Sequence, residues 1–515
     1  MRYFPYNEEL TENHTIQSKI FGHRFKTDQT VDEYLLEFLQ VMISKKNICY
    51  AGEEKECNEY FPKINEELLK KIEFKPKPKI DLKRLTFYMK SKDDTRSEID
   101  TDAYNSMIDF IKDKVDYEKD KEEIVQYIEN LLYGFSGVIK NRSWFAQSFL
   151  PVCKSMVLPE TMIDKKKRKK LDQKFKESNL KYREMEDYKK VDTEFEPNRY
   201  NFMARGGEVY YLHVLRGLMK RPDLKEELEG LFDKQLNEFK QIENLCDTIH
   251  KIWIEGISDK RKGDFEKDIR KTLGTIPVEF GNREEYTVNE LINFLKSDMH
   301  PFEKIELLSQ GIVLQLINLM HSEARYGTLN TRPAWVVDMT CTISKDKEMK
   351  KIAVRSYEKL EEDMTNKISQ MMNAHEEEVK KSGKAFNREK AFKDAIDDSY
   401  KLCRKLAKAI GILVPLKGEG MRLTLQENTL KFLVTSIIKP GDKLTLTTFI
   451  EQLYDHFGIV VGRKEYKKEM QKGNVEIVSD FSFLDKNENS LKEMLKRCGF
   501  LRDLSDATAI VENPY

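Results

Sequence analysis

The residues best placed to receive a ligand are Arg205-Gly206-Gly207-Glu208, inside the stretch from Glu196 to Pro222. Val209, Leu212, Leu215 and Met219 follow at helical spacing, so the glycine pair opens a helix with an apolar face and Pro222 ends it. Paired glycines let a backbone approach another group closely, and a helix start offers unpaired N–H donors. The pattern suits an anion or a partner's carboxylate. The competing reading is a tight turn feeding a core helix, with Arg205 paired to an acid.

A second group, Arg325, Arg332, Trp335 and Asp338, falls in the irregular stretch from His321 to Thr340, where charge density drops. Loops held on a rigid scaffold often carry contacts. The alternative is a buried crossover in which Trp335 anchors the loop and the arginines cap helix C-termini.

Two groups of cations can attract phosphate. Lys165, Lys166, Lys167, Arg168, Lys169 and Lys170 are consecutive, and Arg463, Lys464, Lys467 and Lys468 cluster near Lys472. The first run has no interleaved aromatic ring to stack on bases, and Glu177, Glu184, Glu186 and Asp187 follow it. A solvated, charge-balanced segment is the plainer account of it.

Fixed catalytic machinery is missing from the pattern. There is no G-x-x-x-x-G-K-[ST], no G-x-G-x-x-G after a strand, no H-E-x-x-H and no G-x-S-x-G. No two of the eight histidines are four apart, and the seven cysteines form no C-x-x-C. We therefore expect no catalytic residue, metal or cofactor, and a non-enzymatic role. Dispersed carboxylates converging as a metal-dependent nuclease stay open as a third reading.

These groups must be carried by a long chain with much polar surface. It has 515 residues, 35% of them charged, with 89 Lys and Arg against 89 Asp and Glu. A balanced charge steers the protein toward neither nucleic acid nor membrane as a whole. The scattered cysteines fit free thiols in a reducing cytoplasm. Acid and proline near Met1 depart from a signal peptide, and the apolar runs at 311–320 and 409–416 are too short to cross a bilayer.

The periodicities predict a mainly α, multi-domain protein: an N-terminal helical domain with a small β element over 1–160, a charged connector over 161–195, a central helical domain over 196–415, and a winged-helix-like α+β domain over 416–515. Helices are predicted at Thr30–Ser44, twice between Thr101 and Phe135, around Trp144–Val157, from Val209 to Met219, in two parts over Asp223–Glu255, at Asn289–Leu295 and Pro301–His321, over Lys345–Lys381 with Met371-Met372 near its end, and at Ala385–Ala409. Leu82–Met89 alternates like a strand, behind a stiff connector at Phe74–Lys79.

The last hundred residues read as helix (Thr424–Ile438), short strand (Lys443–Thr445), helix capped by Thr447 or Thr448, a further helix around Leu491, and a hairpin to Val511. That is the order of a winged helix, whose commonest work is duplex binding. Yet over 421–515 fourteen cations face fourteen acids, with Asp503 and Asp506 at the wing tip. Protein contact is at least as well supported as DNA contact.

Three stretches, Asn201–His213, Leu444–His456 and Ala507–Tyr515, resemble uncharacterised accessory proteins encoded beside ATPases and helicases in bacterial anti-phage operons. The resemblance implies an accessory or scaffold subunit of a DNA-defence complex, docking an ATPase, helicase or nuclease partner. A DNA-binding protein using the winged helix and a basic patch is the other reading.

Overall fold

The computed structural model describes residues 3–4, 15–22, 25, 27–50, 53–69, 72–76, 79–91, 98–116, 120–138, 144–159, 169–170, 173–174, 176–177, 206–257, 271–272, 276–277, 283–327, 329, 331–341, 343–505 and 508–515. Among these, helices predominate and strands are short. No helix of the described residues is long and apolar enough to cross a membrane.

Helix α1, Val31–Ile43, starts where Glu33 Oε2 accepts from the Thr30 N–H. Its residues from Glu33 to Met42 are all buried, the pattern of a helix enclosed on every side. Helix α2, Gly206–Lys220, crosses it, and α3, Arg283–Lys296, packs on the other side of α2. Helix α4, Pro301–Arg325, begins with proline at its first position and runs through the interior against α1.

The N-terminal third departs from expectation in two places. Residues 80–87 form a helix rather than a strand, because Ile80, Leu82, Leu85 and Phe87 are buried together with Asp81, Lys83, Arg84 and Thr86, an enclosure that an alternating one-sided strand does not satisfy. The β element comes instead from Lys45–Tyr50, Glu53–Cys57, Glu73–Lys75 and Lys271–Thr272, in the order second, first, third, fourth. Around Trp144 the expected helix is replaced by the strand Ser148–Phe149, paired with Ser136–Val138, and a single 3₁₀ turn at Lys154–Met156. Pro151 lies between these two pieces and removes a helical donor.

Strand β1, Trp335–Val336, precedes the 35-residue helix α5, Lys347–Lys381. At 1.5 Å per residue α5 is about 52 Å long. Asp346 caps it, its Oδ1 accepting from the Met349 N–H at 2.9 Å. Met371 and Met372 are buried core filling. The helix expected over Ala385–Ala409 is two, Arg388–Asp397 and Tyr400–Ala409, broken at the buried Asp398-Ser399.

The C-terminal elements are α6 (Glu427–Ile437), β2 (Lys443–Thr445), α7 (Leu446–Phe457), β3 (Ile459–Val460), α8 (Arg463–Gln471), α9 (Ser482–Arg497), β4 (Leu501–Ser505) and β5 (Thr508–Glu512). Strands β2, β5 and β4 form an antiparallel sheet in that order. The cap of α7 is Thr445, whose Oγ1 accepts from the Thr448 N–H at 3.1 Å, and not Thr447 or Thr448. One large apolar core takes side chains from Ile16 to Val511, and a smaller one lies between α5, β1, β3 and α8.

Candidate functional site

Helix α3 carries Arg283, Thr287, Glu290 and Asn293 at the spacing of one face, with Ser297 one turn beyond. The stripe would be a poor core if it met hydrocarbon. Each of these polar groups instead finds a partner on another element.

Glu290, 1% exposed, receives both guanidinium nitrogens of Arg283, and His456 Nδ1 of α7 lies 2.7 Å from its Oε1. Burial raises a carboxyl, but Arg283 and His456 outweigh it and hold Glu290 down at about 2. Thr287 Oγ1 lies 2.9 Å from His213 Nε2 and donates to Gln315 Oε1 at 2.9 Å. Burial, then the charges of Arg283 and Arg216, hold His213 down at about 3, so it stays neutral. Asn293 Nδ2 donates to the Ser436 carbonyl at 2.9 Å, and Asn513 Nδ2 reaches Ser297 Oγ at 3.3 Å.

The carboxyl end of α7 enters a socket of donors. Gly458 follows it with φ of +72°, a left-handed conformation that glycine adopts freely, and an added Cβ would lie 2.8 Å from the Pro333 carbonyl. The carbonyls left at the helix end are taken from outside the module. Arg332 donates to Tyr454 and Asp455, Arg283 Nη1 to His456 at 2.8 Å, and Asn318 Nδ2 to Phe457 at 2.7 Å. Two guanidiniums at the negative end of the helix dipole are favourable as well as hydrogen-bonded.

A third fastening lies beside the socket. Strands β1 and β3 pair in parallel, Trp335 with Ile459 and Val336 with Val460. Asn487 of α9, fully buried, donates to the carbonyls of Val337 and Val461 at 2.9 Å each and accepts from the Met339 N–H at 2.7 Å. Asp338 accepts from Arg422 Nε at 2.6 Å.

The structure disperses the residues singled out by sequence. Gly206 and Gly207 are a helix crossing: a Cβ on Gly207 would lie 2.5 Å from Phe38 N and 2.6 Å from the Tyr34 carbonyl. The Gly207 N–H donates to Glu37 Oε2 at 3.1 Å, so the acceptor at this helix start is a carboxylate of the same chain. Glu208 is buried, and Arg205 lies outside the described residues. Arg325, 2% exposed, bonds the Arg332 carbonyl at 3.1 Å and Asn474 Oδ1 at 2.7 Å. Trp335 is 1% exposed and meets the His321 ring edge-on at 5.6 Å. Of the two arginines, Arg332 caps a helix and Arg325 holds the loop.

The basic patch on α8 is met by acids and rings. Arg463 pairs with Asp485 at 2.5 Å and Lys464 with Glu451, while Lys467 and Lys468 lie 5.0 and 5.1 Å from the Phe481 and Tyr454 ring centres. Of the run at 165–170, Lys169 and Lys170 are exposed on a helix, and Lys165, Lys166, Lys167 and Arg168 lie outside the described residues. Among the described residues, no group of three or more His, Cys, Asp or Glu can hold a metal ion, and the described cysteines are free thiols.

No known protein family, curated protein or solved structure matches this chain. The sequence reading overlooked Arg283, Thr287, Glu290 and Asn293. Their signal was a polar stripe at helical spacing, hidden because the neighbouring Leu291, Ile292, Phe294 and Leu295 drew attention to the apolar face.

Proposed function

We propose that this chain is a non-catalytic helical subunit whose C-terminal residues form a winged-helix-like module used for protein contact. In this reading it docks an ATPase, helicase or nuclease partner of a DNA-defence complex. The order α6, β2, α7, α9, β4, β5, with a three-stranded sheet and with β3 and α8 inserted between α7 and α9, supports the winged-helix part. The observation that carries the choice of protein over DNA is the placement of α9, the helix that would enter a duplex groove. It packs on the Met339–Cys341 turn and on α5, and three of its four cations are met by acids: Lys486 by Asp346, and both Lys492 and Lys496 by Asp503. Surface pairs of this kind contribute only about 0–1 kcal/mol each, but they leave the local field near neutral. The defence context rests on the three resembling stretches alone.

Retention on duplex DNA across a salt series tests the choice. We expect weak retention at low salt, unaffected by changing Arg463, Lys464, Lys467 and Lys468 to Ala together. Tight retention falling linearly with log salt concentration, and lost when Lys165 to Lys170 become Ala, establishes the DNA-binding reading instead. Co-purification with a neighbouring-gene ATPase, helicase or nuclease tests the partner.

A further inference from the structure

Two of the free cysteines meet inside the fold. Cys153 opens the 3₁₀ turn at Lys154–Met156 and Cys246 lies on the Lys240–Gly256 helix, and both are 0% exposed. The residues beside them bring them together. The turn packs on that helix, where Glu243, Cys246 and Asp247 share one face. The Ser155 N–H donates to Glu243 Oε2 at 2.8 Å, and its Oγ lies 2.8 Å from Glu243 Oε1 and 2.6 Å from Asp247 Oδ1. Lys79 Nζ closes the clamp, donating to Ser155 Oγ and to Asp247 Oδ1 at 2.7 Å each. Held in this way, the side chains of Cys153 and Cys246 are hydrogen-bonding neighbours.

This contact differs in kind from those of other cysteines. Cys403 Sγ meets Met320 Sδ at 3.5 Å, and Cys341 Sγ meets Thr424 Oγ1 at 3.4 Å. Neither a thioether nor a hydroxyl can close a bridge to sulfur on oxidation. Thiol against thiol, on two elements already fastened by Ser155, is the arrangement that a disulfide needs.

We infer that Cys153 and Cys246 form a disulfide when the protein meets a small hydroperoxide, and that the bridge locks the turn onto the Lys240–Gly256 helix. The step runs in two stages. One thiol attacks hydrogen peroxide, breaks its O–O bond, becomes a sulfenic acid and releases one water. The second thiol then attacks that sulfur; the S–S bond forms, the S–OH bond breaks, and the hydroxide leaves as a second water with the thiol proton. Two electrons pass from the sulfurs to the peroxide. The Cys246 thiol, burial and the Glu243 carboxyl all push the Cys153 thiol up, which makes Cys153 the thiol that attacks second. Full burial restricts the reaction to small oxidants. A bridge between residues so far apart in sequence removes much of the freedom of the unfolded chain.

The test uses the full chain, reduced and then exposed to hydrogen peroxide. The reaction is stopped with catalase, the chain is unfolded in N-ethylmaleimide, and its unreduced digest is weighed by mass spectrometry. We expect one peptide pair joined through Cys153 and Cys246, lighter by two hydrogens than its two halves. The urea midpoint should rise on oxidation and return with dithiothreitol. Cys153→Ser and Cys246→Ser should each lose both the linked pair and the midpoint shift, while Cys498→Ser keeps them. Absence of the linked pair from the oxidised parent chain, a midpoint that does not move when the pair is present, or an equal shift in Cys153→Ser overturns the inference. The linked pair is sought in the unaltered chain, so the outcome stands even if a serine variant folds poorly.

Discussion

His456 and Glu290 stand 166 residues apart in the chain and 2.7 Å apart in space. Their contact joins α7 to α3 within a network that also buries Arg283. Removing one member of a buried ion pair strands the other. Glu290→Ala should therefore cost about 3–5 kcal/mol, because the guanidinium of Arg283 loses its carboxylate in an interior site. Urea midpoints measure this, and a loss below about 1 kcal/mol would show that Arg283 swings to solvent instead.

The two ends of the glycine scale give opposite predictions. Gly207→Ala puts a methyl into the backbone of α1 and should destabilise by about 1–3 kcal/mol. Gly230 lies exposed on the Lys225–Leu236 helix with nothing within 4 Å of an added Cβ, so Gly230→Ala should stabilise by about 0.5–1 kcal/mol. Thermal melts of both variants against the parent read the signs directly.

Acid should weaken the fold well above the usual carboxylate range. Burial holds His321 down at about 3, and His213 sits at about 3 through burial and nearby arginines. A histidine depressed in the folded state stabilises fully above its unfolded value of about 6.5 and loses that stability as pH falls toward 3, since only the unfolded chain takes up the proton. At pH 5 the loss is about 2 kcal/mol for each. Denaturant midpoints from pH 8 to 5 should fall, and His321→Phe should flatten the lower half of the curve. An unchanged slope in that variant counts against the buried neutral histidine.

Much of the fold was legible in the chain. The period of Tyr34 to Met42 and the proline at 301 each state their helix locally. Residues 80–87 were misread because alternation at Leu85, Phe87 and Met89 is also compatible with a helix buried on all sides. The Gly206-Gly207 pair was recognised as a close approach, but the identity of the approaching group, Glu37 with its neighbours, is set by tertiary packing. The fastening of α7 was legible only in Arg332 as a helix-capping arginine; that Arg283 and Asn318 join it at the same helix end from two other segments is again set by tertiary packing.

Asn487 makes α9 the keystone of the seam between β1 and β3. One amide bridges Val337, Met339 and Val461, so α9 is tied to both strands of this seam by a single side chain. Parting α9 from β1 and β3 therefore breaks three buried hydrogen bonds at once, each worth about 0.5–1.5 kcal/mol.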